Sequence, residues 1–318
     1  MKTRITELLK IEHPIIQGAV YPVSSLPSLV GAVSNAGGLG ILAAARLNPI
    51  ELQTTIRKVK ELSDKPFGVN LIPDNPHLED LLNIMIEEGI SVFSYGIGNP
   101  EHIVEKALSA GLIGMPTVGS VAQAVKAERD GAQAIIVQGE EGGGHASNVS
   151  SMVLTPLAVD RVKIPVVLAG GVGDARGLVA AFALGAEAIS MGSRFLVTKE
   201  SPAHSAAKKK ILESCEKDTV ISTSVTGIRG RMLKNKGIDT YTELSTRDRE
   251  KLLSGLSKFD LGYLVGDTDN GFLPIGQVCG MIDDEPTCKE LIDRIIKDAE
   301  KIIDSICLFR RAFPAHKS

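Results

Sequence analysis

The chain has 318 residues, 43% apolar and 23% charged, with a formal net charge of −3. That length suits one α/β barrel of about 250 residues plus a small extra domain, and a core of that size needs no disulfides. The charge balance argues against a nucleic-acid footprint, no apolar run reaches the roughly 18 residues of a membrane span, and Met1–Lys10 lacks the apolar core of a signal peptide.

Taken in chain order, short β-rich runs alternate with amphipathic stretches. Strands are expected at Pro14–Gln17, Gly40–Ala43, Phe67–Ile72, Val92–Tyr95, Ile113–Val118, Ala134–Gln138, Val166–Ala169 and Ala188–Met191. Between them lie helical patterns such as Pro49–Leu62, Leu78–Glu88, Val121–Asp130 and Ala175–Leu184. Strands buried on both faces read as continuous apolar runs, as Ile135–Gln138 and Val166–Ala169 do. Eight of them with helical crossovers predict a TIM (β/α)8 barrel. A doubly wound open sheet is the alternative, but its glycine-rich turn after the first strand is absent. Beyond Phe195 the pattern changes. Residues 205–275 are charge-rich and read as helical, without regular strands. Lys289–Ile306 reads as a strong amphipathic helix that packs back on the barrel. The expected division is a barrel from residues 1–204 and about 286–318, with a helical insertion or lid at about 205–285. The four cysteines (Cys215, Cys279, Cys288 and Cys307) form no C-x-x-C pair, so free thiols and no metal site are expected.

Glycines mark the expected strand ends. Gly170-Gly171 follows the seventh strand, and Gly192-Ser193 follows the eighth, just after Ser190-Met191. Backbone N–H groups freed of side chains can approach an anion closely, and loops in these two places of a barrel frequently hold a phosphate. After the sixth strand, Gln138 leads into Gly142-Gly143-Gly144-His145. A triple glycine can lie flat against a planar ligand. His145 at a barrel mouth can exchange protons near neutral pH. Asn70, ending the third strand, carries both a donor and an acceptor suited to a flavin-ring edge, though a turn or cap role fits its spacing equally. Gly18-Ala19-Val20 after the first strand offers small residues where a ring could lie.

Together these segments resemble the nitronate monooxygenase (2-nitropropane dioxygenase-like) family, which includes the FMN-dependent enoyl-acyl-carrier-protein reductase II. The resemblance runs nearly end to end. It includes Arg4–Leu9, His13–Gly18, Ala32–Gly40, Lys65–Asn70, Gly143–His145, Ala169–Gly171, Gly192–Phe195 and Gly276-Gln277-x-x-Gly280. It implies a noncovalent FMN touching Asn70, Gln138, Gly143, Gly171 and the segment Ser190-Met191-Gly192-Ser193, with His145 catalytic; the small residues Gly18, Ala19 and Val20 and the turn glycines Gly144 and Gly170 complete the expected cofactor site. It leaves two activities open: oxidation of alkyl nitronates with O₂, and transfer of hydride from NAD(P)H to an enoyl thioester on acyl carrier protein. Gln138-Gly139 resembles the monooxygenases, and the leading expectation is nitronate oxidation; the N-terminal segment resembles the reductases. Gly18-Ala19-Val20-Tyr21 and Ala43-Ala44-Ala45 depart from both patterns on the presumed substrate side. A cytoplasmic enzyme of small molecules follows, with a homodimer open to it. A flavin-free isomerase or lyase of a phosphorylated metabolite is disfavoured by strand ends poor in Lys and carboxylates. A non-catalytic binding protein is disfavoured by His145.

Overall fold

The computed structural model describes residues 1–96, 98, 101–244 and 257–312, with side chains to residue 308. Residues 245–256 of the expected insertion and 313–318 of the expected barrel unit lie outside the described residues.

Eight parallel strands close on themselves: β1 (Ile15–Gln17), β2 (Leu39–Ala43), β3 (Phe67–Leu71), β4 (Val92–Tyr95), β5 (Ile113–Val118), β6 (Ile135–Gln138), β8 (Val166–Ala169) and β9 (Ala188–Met191). The seam is β1 against β9, with Ile16 opposite Ser190. The strands are almost wholly buried because helices cover the outside and side chains fill the lumen. All eight match the expected runs to within a residue at either end.

The helices form for local reasons. In Pro49–Leu62, Asn48 accepts from the Glu51 amide while Glu51 reaches back to the Asn48 amide, and Pro49 needs no amide at the first turn. Leu52, Ile56 and Val59 then face inward at helical spacing. Helix Pro27–Asn35 lies very close to β2. A methyl group on Gly40 would sit 2.3 Å from the Val30 carbonyl oxygen, so only glycine permits that approach. The last helix, Cys288–Ala312, packs on helices Ala175–Ala183 and Pro27–Asn35 and buries Leu291, Ile292, Ile295 and Ala299. Each fully buried Leu or Ile contributes about 1.5–3 kcal/mol. Among the described residues no helix is long and apolar enough to cross a membrane.

The segment after the barrel is not purely helical. It contains two strands, β10 (Thr219–Ser222) and β11 (Gly230–Leu233), paired antiparallel. A third, β7, is only Gly144–His145 from the barrel loop, with His145 opposite Gly230 and Gly144 opposite Arg231. The expectation of an insertion without strands is therefore corrected. The runs T-V-I-S and G-R-M-L are four residues each and do not alternate clearly. They pair with each other, and β11 also pairs with a partner 85 to 87 residues upstream, which no local pattern announces.

Candidate active site

The strands β6, β8 and β9 end side by side, with Gln138 opposite Ala169 and Ala169 opposite Ser190. On the other side Asn70 lies opposite Ser94. These C-terminal ends enclose a cavity of about 810 Å³, within the usual range for a cofactor or substrate site. Every residue expected at the site borders it: Gly18, Ala19 and Val20; Asn70; Gln138, Gly143, Gly144 and His145; Gly170 and Gly171; Ser190, Met191, Gly192 and Ser193.

One end of the cavity is built from bare backbone. Gly170 and Gly171 both take positive φ, +93° and +73°, where an L side chain is strained. A methyl group on Gly170 would stand 3.1 Å from the Gly142 amide. Beside this turn, the buried Ser193 hydroxyl accepts from the Gly276 amide at 2.9 Å, leaving its own hydrogen available to the cavity. Ser190 is also buried. This end offers backbone amides and hydroxyls, and the Glu141 carboxylate beside Gly171 is tied to Ser151.

The glycine loop after β6 is held from three directions. Gln138 donates its side-chain amide to the carbonyls of Gly143 (3.2 Å) and His145 (2.7 Å). Although Gln138 lines the cavity, its nitrogen is thus committed to the loop. The Arg231 guanidinium donates to the Glu140 carbonyl (3.0 Å), and Arg229 donates to the Ser147 carbonyl (3.2 Å). The Glu141 carboxylate accepts from the Ser151 amide (3.0 Å) and hydroxyl (2.9 Å) at the start of helix Ser151–Val159. These bonds make the Glu141 side chain a brace between the loop and that helix. The G-Q-x-x-G segment docks on the same loop. The Gln277 amide donates to the Glu141 carbonyl, and a methyl on Gly276 would sit 2.7 Å from that oxygen.

His145 Nε2 lies 2.8 Å from the Thr226 hydroxyl oxygen, and that hydroxyl in turn reaches the Ile228 carbonyl at 3.4 Å. Were that hydroxyl's hydrogen directed to Ile228, Thr226 would accept from Nε2–H, in the neutral tautomer that leaves Nδ1 as the base. Burial pushes the His145 pKa below its ordinary value, and the charge of Asp74 opposes this weakly. The unfolded chain therefore takes up this proton first. His145's contribution to stability is complete above pH 6.5 and declines as pH falls through the lower folded value.

Sequence reasoning missed several lining residues: Arg46, Thr226, Arg229 and Phe259. Thr226 and Arg229 come from the insertion and carry no local motif. Tyr21 stood out only as a departure. Its hydroxyl donates to the Asp260 carboxylate at 3.1 Å, and burial beside that carboxylate pushes its pKa up to about 12.

A family model described as nitronate monooxygenase matches residues 2–298. The chain belongs to the nitronate monooxygenase family. It is an oxidoreductase. A protein of Rhodococcus jostii named (3aS,4S,5R,7aS)-5-hydroxy-7a-methyl-1-oxo-octahydro-1H-indene-4-carboxyl-CoA dehydrogenase is 35% identical, over 98% of this chain and 99% of that protein. A Staphylococcus saprophyticus protein named "Probable nitronate monooxygenase" is 34% identical over 76% of this chain and 81% of its own length. Among solved structures, FabK from Thermotoga maritima superposes with a TM-score of 0.93 at 36% identity, covering 97% of this chain and 99% of that one.

Proposed function

We propose that this family member is an FMN-dependent oxidoreductase acting on a carbon skeleton carried as a thioester. The observation that supports the flavin reading is one cavity at the barrel mouth, bordered both by the bare-backbone turn Gly170-Gly171 and by the glycine loop packed against it that ends in His145. The fit is chemical. Gly170, Gly171, Gly192 and Ser193 would hold the phosphate, with Ser190 and Met191 beside it. Gly18, Ala19, Val20, Asn70, Gln138, Gly143 and Gly144 would border the ring. When bound, the flavin supplies reversible two-electron acceptance as hydride. His145 would take a carbon-bound proton on Nδ1, or return one, while Thr226 holds its Nε2–H. The 205–285 insertion would then act as a lid on a barrel made from residues 1–204 and 286–318, in a cytoplasmic enzyme.

The thioester reading is supported by relatives that match along nearly the whole chain, one named for a CoA-linked substrate. It is also supported by space. A second chamber of about 750 Å³ adjoins the first, sharing His145, Thr226 and Phe259 with it, and so leaves room for a long acyl carrier. Nitronate oxidation is the second reading. A ring kept neutral near pH 7 suits deprotonation of a nitroalkane, and the Staphylococcus relative carries that name.

Anaerobic mixing tests these readings. Purified protein is expected to be yellow. Its flavin is expected to bleach with NAD(P)H, or with an acyl-CoA substrate in the oxidative direction. Bleaching by an alkyl nitronate alone would move the assignment to the monooxygenase, and a colourless protein that FMN cannot reconstitute would end the flavin reading.

Thr226→Val is nearly isosteric and removes the acceptor for Nε2–H. Its kcat is expected to fall about tenfold with KM little changed, the scale of one lost hydrogen bond. In the wild type, a step that needs the neutral ring should persist below pH 6.5, because the folded pKa is depressed. An acid limb at or above 6.5, or a variant with unchanged kcat, counts against this assignment.

A further inference from the structure

We propose that Arg46 is the recognition group for a phosphate of a nucleotide-bearing substrate, a role that rests on the thioester and nicotinamide readings above. Arg46 follows β2 and lines both chambers, so it stands where they join. Its guanidinium carbon lies 5.8 Å from the centroid of the Tyr21 ring, within cation–π range. That ring is itself fixed: its hydroxyl donates to Asp260, and Phe259 meets it edge-on at 6.3 Å between centroids. A guanidinium resting on an anchored ring loses less freedom on binding than a loose surface arginine.

Among the described residues Arg46 has no hydrogen-bond or ion-pair partner, although two carboxylates line the outer chamber. Glu51 is occupied at the start of its own helix, accepting from the Asn48 amide at 2.9 Å. Asp74 acts electrostatically on His145. Lys258 lines the same chamber and also forms no ion pair among the described residues. Among the described residues the chamber therefore offers Arg46 without an ion-pair partner, and Lys258, which acts electrostatically on Asp267, beside the apolar side chains of Val225, Ile228 and Phe259. An arginine fork matches a phosphate with paired N–H···O bonds, and the apolar wall suits an uncharged tether leading inward to His145. Two sources supply that phosphate: the nucleotide end of coenzyme A and the diphosphate of a nicotinamide nucleotide.

The test is calorimetric titration of the holoprotein, wild type and Arg46→Gln, with coenzyme A, NADPH and pantetheine. The wild type is expected to bind coenzyme A or NADPH. Arg46→Gln is expected to weaken that binding at least tenfold while pantetheine, which lacks phosphate, is unaffected. A loss confined to coenzyme A identifies the thioester carrier, and one confined to NADPH identifies the reductant. Flavin content and melting temperature report folding, and Arg46→Lys, which keeps the charge without the fork, is expected to recover only part of the affinity. Unchanged affinity in Arg46→Gln overturns the role of Arg46 and leaves the thioester reading standing. An equal loss for pantetheine also overturns it. Failure of the wild type to bind either nucleotide overturns both.

Discussion

His145→Ala is expected to remain yellow and folded while losing about 10²–10⁴ of its turnover, the range one positioned acid–base group supplies. The two halves of this result come from different parts of the structure. The end proposed to hold the phosphate is made of Gly170, Gly171, Gly192 and Ser193, whereas the imidazole's hydrogen-bond partner is Thr226. The loop that carries His145 is held through backbone and through Gln138, Arg229 and Arg231, so truncating the imidazole leaves those bonds in place. Flavin absorbance and steady-state turnover on the same sample separate the outcomes. Turnover within a fewfold of wild type would remove His145 from the chemistry, and a colourless variant would show that the imidazole serves the cofactor instead.

Gly143→Ala is expected to act the other way, costing stability and flavin together. The added methyl would lie 2.6 Å from the carbonyl carbon of Ile275 and 2.7 Å from the Gly276 nitrogen. Both are backbone atoms and cannot swing aside as a flexible side chain could. The glycine loop must separate from the Pro274–Gln277 segment, which strains the Gln277-to-Glu141 bond and the Gly276-to-Ser193 bond together. Overpacking of this kind costs about 1–3 kcal/mol. A lower melting temperature and a lower flavin-to-protein ratio after gel filtration are the expected readouts. A variant as stable and as yellow as the wild type would mean that this contact is looser than its geometry.

The barrel was legible because its physics is local. Parallel strands covered on both faces must be apolar throughout, so Val166–Ala169 and Ala188–Met191 declare themselves without their partners. The glycine turns were legible for a similar reason: positive φ at Gly170 and Gly171 restricts the residue type at each position by itself. What escaped were roles defined by a distant partner. Thr226 is 81 residues from His145 and has no pattern of its own. Glu141 looks like a turn charge until Ser151 is placed above it. Strand β11 is buried at all four positions and so shows no alternation, and four-residue runs in a charged segment resemble the helices around them.

The pairing of β7 with β11 couples two properties that are commonly treated as separate. Arg229 and Thr226, on the approach to β11, border the cavity, while Gly230 and Arg231 set the register of the strand that holds His145. Exchanging this segment with that of a relative would change which molecules enter and would re-aim the imidazole in the same stroke. Selectivity and rate in this enzyme are therefore expected to drift together under mutation, and a chimera made to alter one will need compensating changes at β7 to preserve the other.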